Sequence, residues 1–315
     1  MKTSSSFPSP TSNHMGVSMK FRSALAVATL AALAALMPSL ASAQKAFPTA
    51  EAAGNAFIDA AATNDDAAMR EVLGANYRRF VPAESVKADD RTAFLYASSK
   101  GRKIITDGPD HAHLTVGTEG WKLPIPLVKT ADGWRFDIIA GKEEMRIRRI
   151  GRNELAAMQA LLAFYDAQKD YALADRNGND VLEYAQKFRS TPGKKDGLVW
   201  PNDPASPLGP LYGSETKDGV YHGYRFRILT AQGPAAKDGA RDYVVKGRMT
   251  QGFAAVAWPD KWDDSGVMTF IVSHDGKVYQ KNLGSGTDAA ARAMTRYNPD
   301  KSWMLVPDST LIAKP

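Results

Sequence analysis

Hydrophobic residues recur along the chain in two rhythms, and the places where the rhythm changes divide it. Thr49 is a good N-capping residue with Glu51 in the turn that follows, and Ala53, Ala56, Phe57, Ala60 and Ala61 then recur at helical spacing. Asp66 is placed to cap a second short helix ending at Gly74. A third follows Asp89 and Asp90, with Phe94 and Leu95 on its apolar side. The period then shortens to two. Lys103–Thr106, His111–Val116 and Trp134–Ile139 read as strands, and Ala131-Asp132-Gly133 is a hairpin turn between Leu127-Val128 and the Trp134 strand. Residues 44–141 therefore read as an N-terminal α+β domain of helices plus a small antiparallel sheet.

Residues 142–173 return to helical spacing. Gly151 is expected to interrupt them and Asn153 to cap the longer half. Leu155, Met158, Leu162 and Tyr165 form one stripe, widened by Leu161, Phe164 and Tyr171, a breadth that predicts burial against a sheet. Residues 190–220 are punctuated by Pro192, Gly193, Pro201, Pro204, Pro207, Gly209 and Pro210 and read as a long loop. An antiparallel sheet is expected over 221–283. In Tyr221–Ala231, Tyr224, Phe226 and Ile228 take one face and Arg225 and Arg227 the other; Tyr243–Arg248, Phe253–Trp258 and Val267–Val272 follow. His274-Asp275-Gly276-Lys277 turns the chain into Val278-Tyr279, and a short helix near Asp288–Thr295 precedes the tail. The expected fold is α+β in two domains. Residues 142–173 connect 44–141 to a sheet domain over 174–315, where a long helix packs on an antiparallel sheet.

The first 43 residues obey neither rhythm. Lys20 and Arg22 precede an uncharged, Ala/Leu-rich run from Ser23 to Met37. Pro38 breaks that run, and Ala41-Ser42-Ala43 offers small residues before a cut. This is the order of a cleavable signal peptide, with cleavage expected between Ala43 and Gln44. The apolar run is about 15 residues, short of the ~20 that a membrane span needs. Met19 makes a conventional start for such a leader, alongside Met1 and Met15. The expected mature chain is periplasmic or secreted, and it holds no further apolar run of spanning length.

Composition narrows the function classes. The chain has no cysteine, which excludes disulfides, thiolate catalysis and zinc–thiolate sites. The formal charge is +6, but residues 1–43 carry Lys2, Lys20 and Arg22 and no acid, so the mature chain is near +3. Its basic residues are scattered among acids, apart from Arg146, Arg148 and Arg149, which argues against a nucleic-acid partner.

Three clusters carry candidate chemistry. Asp175, Asn177 and Asn179 place oxygens at positions 1, 3 and 5 of a calcium-type loop, and Glu183 is available as the bidentate carboxylate. Asp180 stands where such loops carry glycine and Gln186 where they carry glutamate, so the segment reads either as a calcium site or as a polar turn. His111 and His113 share one side of a strand with no third ligand nearby in sequence. His222, beside Tyr221, Tyr224 and Arg225, is the best single candidate for a general base or a binding contact. Ser214-Glu215-Thr216-Lys217 has the spacing of serine–lysine acyl enzymes but sits in a loop without the companion Lys-Thr-Gly. Thr191-Pro192-Gly193-Lys194-Lys195 lacks the first glycine of a phosphate loop. Trp200, Trp258 and Trp262 lie near Pro and Asp, as stacking or core tryptophans do.

Longer stretches carry a resemblance. Ile150-Gly151-Arg152-Asn153-Glu154-Leu155-Ala156-Ala157, Tyr165-Asp166-Ala167-Gln168, Ser190-Thr191-Pro192-Gly193-Lys194, Ser206-Pro207-Leu208-Gly209-Pro210, Tyr221-His222-Gly223-Tyr224 and Ile228-Leu229-Thr230-Ala231-Gln232-Gly233-Pro234 resemble a bacterial exported family. It is catalogued as domain-of-unknown-function family 2950. The resemblance implies an exported protein and brings no activity with it. Residues 48–80 resemble the opening of nuclear-transport-factor-like or cystatin-like α+β domains. Residues 150–283 are similar to the globular head of type IV pilins and pseudopilins, where a helix packs on an antiparallel sheet, although no prepilin leader or apolar stem precedes this helix.

The reading that follows is an exported cell-envelope protein acting as a binding or assembly module for an envelope protein or glycan. Its site is expected where the Pro/Gly-rich loop meets the Tyr221 strand, lined by Lys194, Lys195, Trp200, His222, Arg225 and Arg227 and suited to an anionic or carbohydrate ligand. The one cofactor the sequence points to is calcium, on Asp175, Asn177, Asn179 and Glu183. The rival reading is a periplasmic hydrolase using His222 with a carboxylate such as Asp196.

Overall fold

The computed structural model describes residues 44–209 and 219–311. The leader and the Ser214–Lys217 tetrad lie outside the described residues. The described residues form one compact unit.

Helices α1 (Ala50–Thr63), α2 (Asp66–Leu73) and α3 (Ala88–Lys100) come first. Thr49 caps α1 as expected, its Oγ1 accepting from the Ala52 N–H at 3.1 Å. The cap of α2 is Asp65, not Asp66: Asp65 Oδ1 takes the Ala67 and Ala68 N–H groups, while Asp66 accepts from Tyr77 and Arg78. Strands β1 (Arg102–Thr106), β2 (His111–Val116), β3 (Trp121–Lys122), β4 (Leu127–Thr130) and β5 (Gly133–Phe136) form an antiparallel sheet ordered β1-β2-β4-β5, with β3 on β2. Ala53, Ile58, Val72 and Leu73 of α1 and α2 pack with Ala112, Leu114, Leu127 and Phe136 of the sheet into a first core.

The strand expected over Trp134–Ile139 stops at Phe136 because Asp137 starts a helix. Its Oδ1 accepts from the Ile139 and Ala140 N–H groups, both at 3.0 Å. Helix α4 (Ile138–Tyr171) then runs 34 residues without a break. Gly151 does not interrupt it, and Asn153 is not a cap. A single glycine costs a helix about 1 kcal/mol, and packing along α4 outweighs that. Asn153 Nδ2 instead donates to the Ser265 carbonyl at 2.8 Å, and Glu154 Oε1 accepts from the Val267 and Met268 N–H groups at 2.9 and 3.0 Å. One turn earlier, Arg146 pairs with Asp263 and Arg149 with Asp264.

The second half adds strands β6 (Tyr224–Leu229), β7 (Ala231–Gln232), β8 (Arg241–Asp242), β9 (Val244–Val245), β10 (Arg248–Met249), β11 (Ala254–Pro259), β12 (Met268–Ser273) and β13 (Val278–Asn282). Helix α5 (Thr287–Ala293), strands β14 (Arg296–Tyr297) and β15 (Met304–Leu305) and helix α6 (Asp308–Leu311) close it. The main sheet is antiparallel in the order β15-β13-β12-β11-β6; β14-β7-β8 form a smaller sheet in which β14 and β7 run parallel. The strand expected over Tyr243–Arg248 is a hairpin of β9 and β10. Lys246 (φ 51°) and Gly247 (φ 78°) both take the positive φ that a tight two-residue turn requires. His222 (φ 45°) and Gly223 (φ 73°) make a turn of the same kind, so the Tyr221 strand begins only at Tyr224.

Every residue of β11 is buried. Leu161, Phe164 and Tyr171 of α4 join Tyr224, Leu229, Val256, Phe270 and Ile271 of the sheet in a second core. Helices and antiparallel sheets thus occupy both halves, as an α+β fold requires.

Candidate functional site

The site grows from the end of α4. Past Tyr171 the chain runs irregularly to residue 209, and a polar turn opens that run. Asp175 organises the turn: its Oδ1 accepts from the Asn177 and Gly178 N–H groups at 3.1 and 2.8 Å, and its Oδ2 from the Asp180 N–H at 2.8 Å. Those backbone donors, Asp180 foremost, hold its carboxyl below the usual carboxylate range. Asp180 itself adopts φ 58°, the left-handed bend that glycine supplies in calcium loops. Asn177 and Asn179 turn their side-chain N–H groups toward Glu183, donating to its Oε1 at 3.0 and 2.7 Å, and Asn179 Oδ1 accepts from the Val181 N–H. Both Asp175 oxygens, Glu183 Oε1 and Asn179 Oδ1 are thus engaged with donors within the turn. Among the described residues, no group of three or more Asp, Glu or His side chains is placed to hold a metal ion.

Glu183 is only 5 % exposed. With Tyr171, Asn177, Tyr184, Lys187 and Asp196 it lines a cleft of about 210 Å³. Asp196 enters from the Pro/Gly-rich loop and is fixed on arrival. Its Oδ1 accepts from the Thr191 N–H at 2.7 Å, and its Oδ2 from Thr191 Oγ1 at 2.8 Å and Lys187 Nζ at 2.7 Å. Lys187 foremost, then Thr191, hold the Asp196 carboxyl far below the usual carboxylate range. Tyr171 is pushed the other way, up to about 12, by burial and by the nearby Glu183 and Asp196 charges; its O–H donates to the Lys195 carbonyl at 3.0 Å. General acid–base catalysis is most effective with a pKa near the working pH. Here Asp196 stays ionised and Tyr171 stays protonated at neutrality, settings that hold hydrogen bonds rather than pass protons. A larger cavity of about 260 Å³ between α1 and α2 is lined by Phe47, Ala60 and Val72 together with the charged Lys45, Asp59 and Glu71.

The sequence candidates separate onto two faces of the main sheet. Phe226 meets Phe188, which meets Phe164 of α4, so that side of β6 faces α4 and the loop. Arg225 and Arg227 point to the α5 side. Arg225 pairs with Asp260, and Arg227 donates to the Ala291, Arg292 and Met294 carbonyls at the end of α5. They are not brought together with the loop lysines. Lys195 lies 4.2 Å from the centre of the Trp200 ring and pairs with Asp203; Trp200 is buried, and its Nε1 donates to the Gly197 carbonyl. Lys194 is exposed at the loop tip. His222 is exposed in its turn, edge-on to Tyr221 at 4.5 Å, while the Asp196 oxygens accept from Thr191 and Lys187. His111 and His113 share a face of β2 as expected. His113 is half-buried, and burial, then Lys122, lowers its pKa.

Sequence reasoning missed Tyr171, Tyr184 and Lys187 as lining groups. Tyr171 was legible only as the end of the α4 stripe. Lys187 meets Asp196 across nine residues of irregular chain, a pairing for which no periodic signal exists.

No curated protein and no solved structure matches this chain. A family model described as a protein of unknown function, DUF2950, matches residues 44–306, and the chain belongs to that family.

Proposed function

We propose that the protein is exported into the cell envelope, periplasmic or secreted after a cut between Ala43 and Gln44, and works there as a binding or assembly module. Its ligand sits in the cleft under the Pro/Gly-rich loop. The observation that carries this reading is Glu183: a buried carboxylate fixed by two side-chain amides, facing a cleft shared with a second fixed carboxylate, Asp196. Side chains held in place before a ligand arrives lose little freedom when it binds.

The ligand class follows from size and lining. At about 210 Å³ the cleft is below the ~300–1,000 Å³ of drug-sized sites, which suits one sugar unit of an envelope glycan. Carboxylates accept from sugar hydroxyls, Lys187 donates to them, and Tyr171 and Tyr184 offer ring surface. Among the described residues, no helix is long and apolar enough to cross a membrane. The packing of α4 on an antiparallel sheet supports the pilin-like reading of the second half, and with it an assembly role.

The test is titration of the purified protein with peptidoglycan fragments and with single sugars, followed by NMR shifts. Perturbations confined to residues 171–196 are expected. Glu183→Gln and Asp196→Asn should each weaken binding by roughly tenfold or more, the worth of one charge-assisted hydrogen bond. Shifts elsewhere, or none at millimolar ligand, would reject the cleft; turnover of the glycan would make the protein an enzyme.

A further inference from the structure

The residue expected to become the N-terminus is already built into the fold. Gln44 Nε2 donates to the Phe136 carbonyl at 2.7 Å and to the Val72 carbonyl at 3.0 Å. Val72 belongs to the last turn of α2 and Phe136 ends β5, so one side chain ties a helix end to a strand end. The next residues continue the attachment: the Lys45 N–H donates to the Glu71 carbonyl, and Phe47 pairs with Trp134 through two backbone hydrogen bonds. Gly74 borders the Gln44 side chain and takes φ 97°, a conformation that favours glycine; a Cβ there would meet Gln44 Cβ at 3.7 Å, an ordinary contact.

An N-terminal glutamine has a reaction open to it that an internal one does not. Its α-amine attacks its own side-chain amide carbon Cδ. The new C–N bond closes a five-membered lactam, the Cδ–Nε2 bond breaks, and Nε2 leaves as ammonia with a proton from the amine. No redox partner is needed. In the folded chain the leaving nitrogen is the atom that holds both carbonyls, and the side chain is drawn into its groove.

We propose that the fold locks Gln44 against this cyclisation, so that the mature protein keeps a free N-terminal amine, and that cleavage precedes docking of Gln44. The order follows from geometry, because Gln44 and Lys45 cannot lie in a peptidase cleft while engaged with Phe136, Val72 and Glu71. The inference rests on the export reading above and adds to it the chemical state of the mature N-terminus.

Mass spectrometry of the protein recovered from the envelope of producing cells tests it. An intact chain starting at Gln44 with no ammonia lost is expected. On incubation, native protein should form the lactam on the order of tenfold more slowly than the same protein held in urea, since opening of the terminus must come first. Equal rates in the two conditions, or a protein already fully cyclised when isolated, would overturn the lock while leaving export intact. An uncleaved chain, or one starting at another residue, would overturn the cleavage reading and the lock together, and the mass distinguishes that case. Solvent exchange of the Gln44 side-chain amide protons gives a second readout: protection is expected, and exchange at the rate of a free amide would count against the proposal.

Discussion

Gln168 on α4 pairs with Ala185 as a neighbouring strand would. Its Nε2 donates to the Ala185 carbonyl and its Oε1 accepts from the Ala185 N–H, both at 2.8 Å, and both residues are buried. This side chain supplies the hydrogen bonds that an irregular segment lacks, and Glu183 lies two residues before the pairing. Gln168→Leu leaves two buried backbone groups without partners, at about 1–3 kcal/mol each, so a loss of roughly 2–6 kcal/mol is expected in denaturant unfolding. Gln168→Glu adds a pH signature. An ionised carboxylate cannot donate to the carbonyl, whereas a neutral carboxyl can donate and accept. That variant should therefore recover stability relative to wild type as pH falls; a pH-independent difference would mean that the pairing is not what matters.

Arg227 was legible as a charged residue on an exposed-looking strand face, and it reads as a ligand contact until α5 is placed over it. Its guanidinium caps the helix by donating to the carbonyls of Ala291, Arg292 and Met294. Arg227→Met should cost about 1.5–3 kcal/mol, the range for hydrogen bonds from a charged group, and leave glycan affinity unchanged. Loss of affinity at unchanged stability would return Arg227 to the binding site.

Acid should lower stability over two separate pH ranges. His274 is held below its ordinary 6.5 by burial first and by Arg241 second; Arg241 Nη2 is 2.7 Å from His274 Nε2, which must stay unprotonated to accept. A depressed folded pKa means that the unfolded chain takes the proton more readily. The His274 contribution is complete above pH 6.5 and is lost as pH falls through the folded pKa. Asp196, depressed from 3.8, keeps its contribution down to about pH 4 and loses it below. Melting temperature against pH should therefore flatten below 6.5 in His274→Gln and below about 4 in Asp196→Asn. Unchanged profiles would refute the assignments.

How much of this was open to sequence depends on range. The α1 cap, the β12–β13 turn and the apolar face of α4 are fixed by residues within a few positions of one another, and their signals survive. Gly151 misled because helix propensity is a small term, overruled by Asn153 and Glu154 reaching the β11–β12 connection more than a hundred residues away. The alternation in β6 already put Arg225 and Arg227 opposite Phe226, but nothing local says which face the loop covers. The calcium reading rested on oxygen spacing, which a self-bonded turn shares.

That turn makes a direct prediction. With both Asp175 oxygens accepting from the backbone N–H groups of Asn177, Gly178 and Asp180, calcium or a chelator should leave the melting temperature unchanged. Asp175→Ala should lower the melting temperature to the same extent in either condition. A calcium-dependent rise in wild type, abolished by Asp175→Ala, would show that Asn177 and Asn179 release Glu183 to bind the ion.

Two glycines on opposite sides of the α4 contact should respond to alanine with opposite signs. Gly151 is exposed, mid-helix, and a Cβ there meets nothing within 4 Å, so Gly151→Ala gains helix propensity at no steric cost. A stabilisation of about 0.5–1 kcal/mol is expected. Gly266 follows the turn that Asn153 clamps, and a Cβ there would overlap the ring and hydroxyl of Tyr224. Tyr224 cannot yield, because it is fully buried and its O–H donates to the Met268 carbonyl at 2.8 Å. Gly266→Ala must therefore displace the segment entering β12 from the Tyr224 ring or break that bond, and destabilisation of about 1–3 kcal/mol should follow. If both variants melt like wild type, α4 does not pack on the sheet through this contact, and the cleft at its end loses its support.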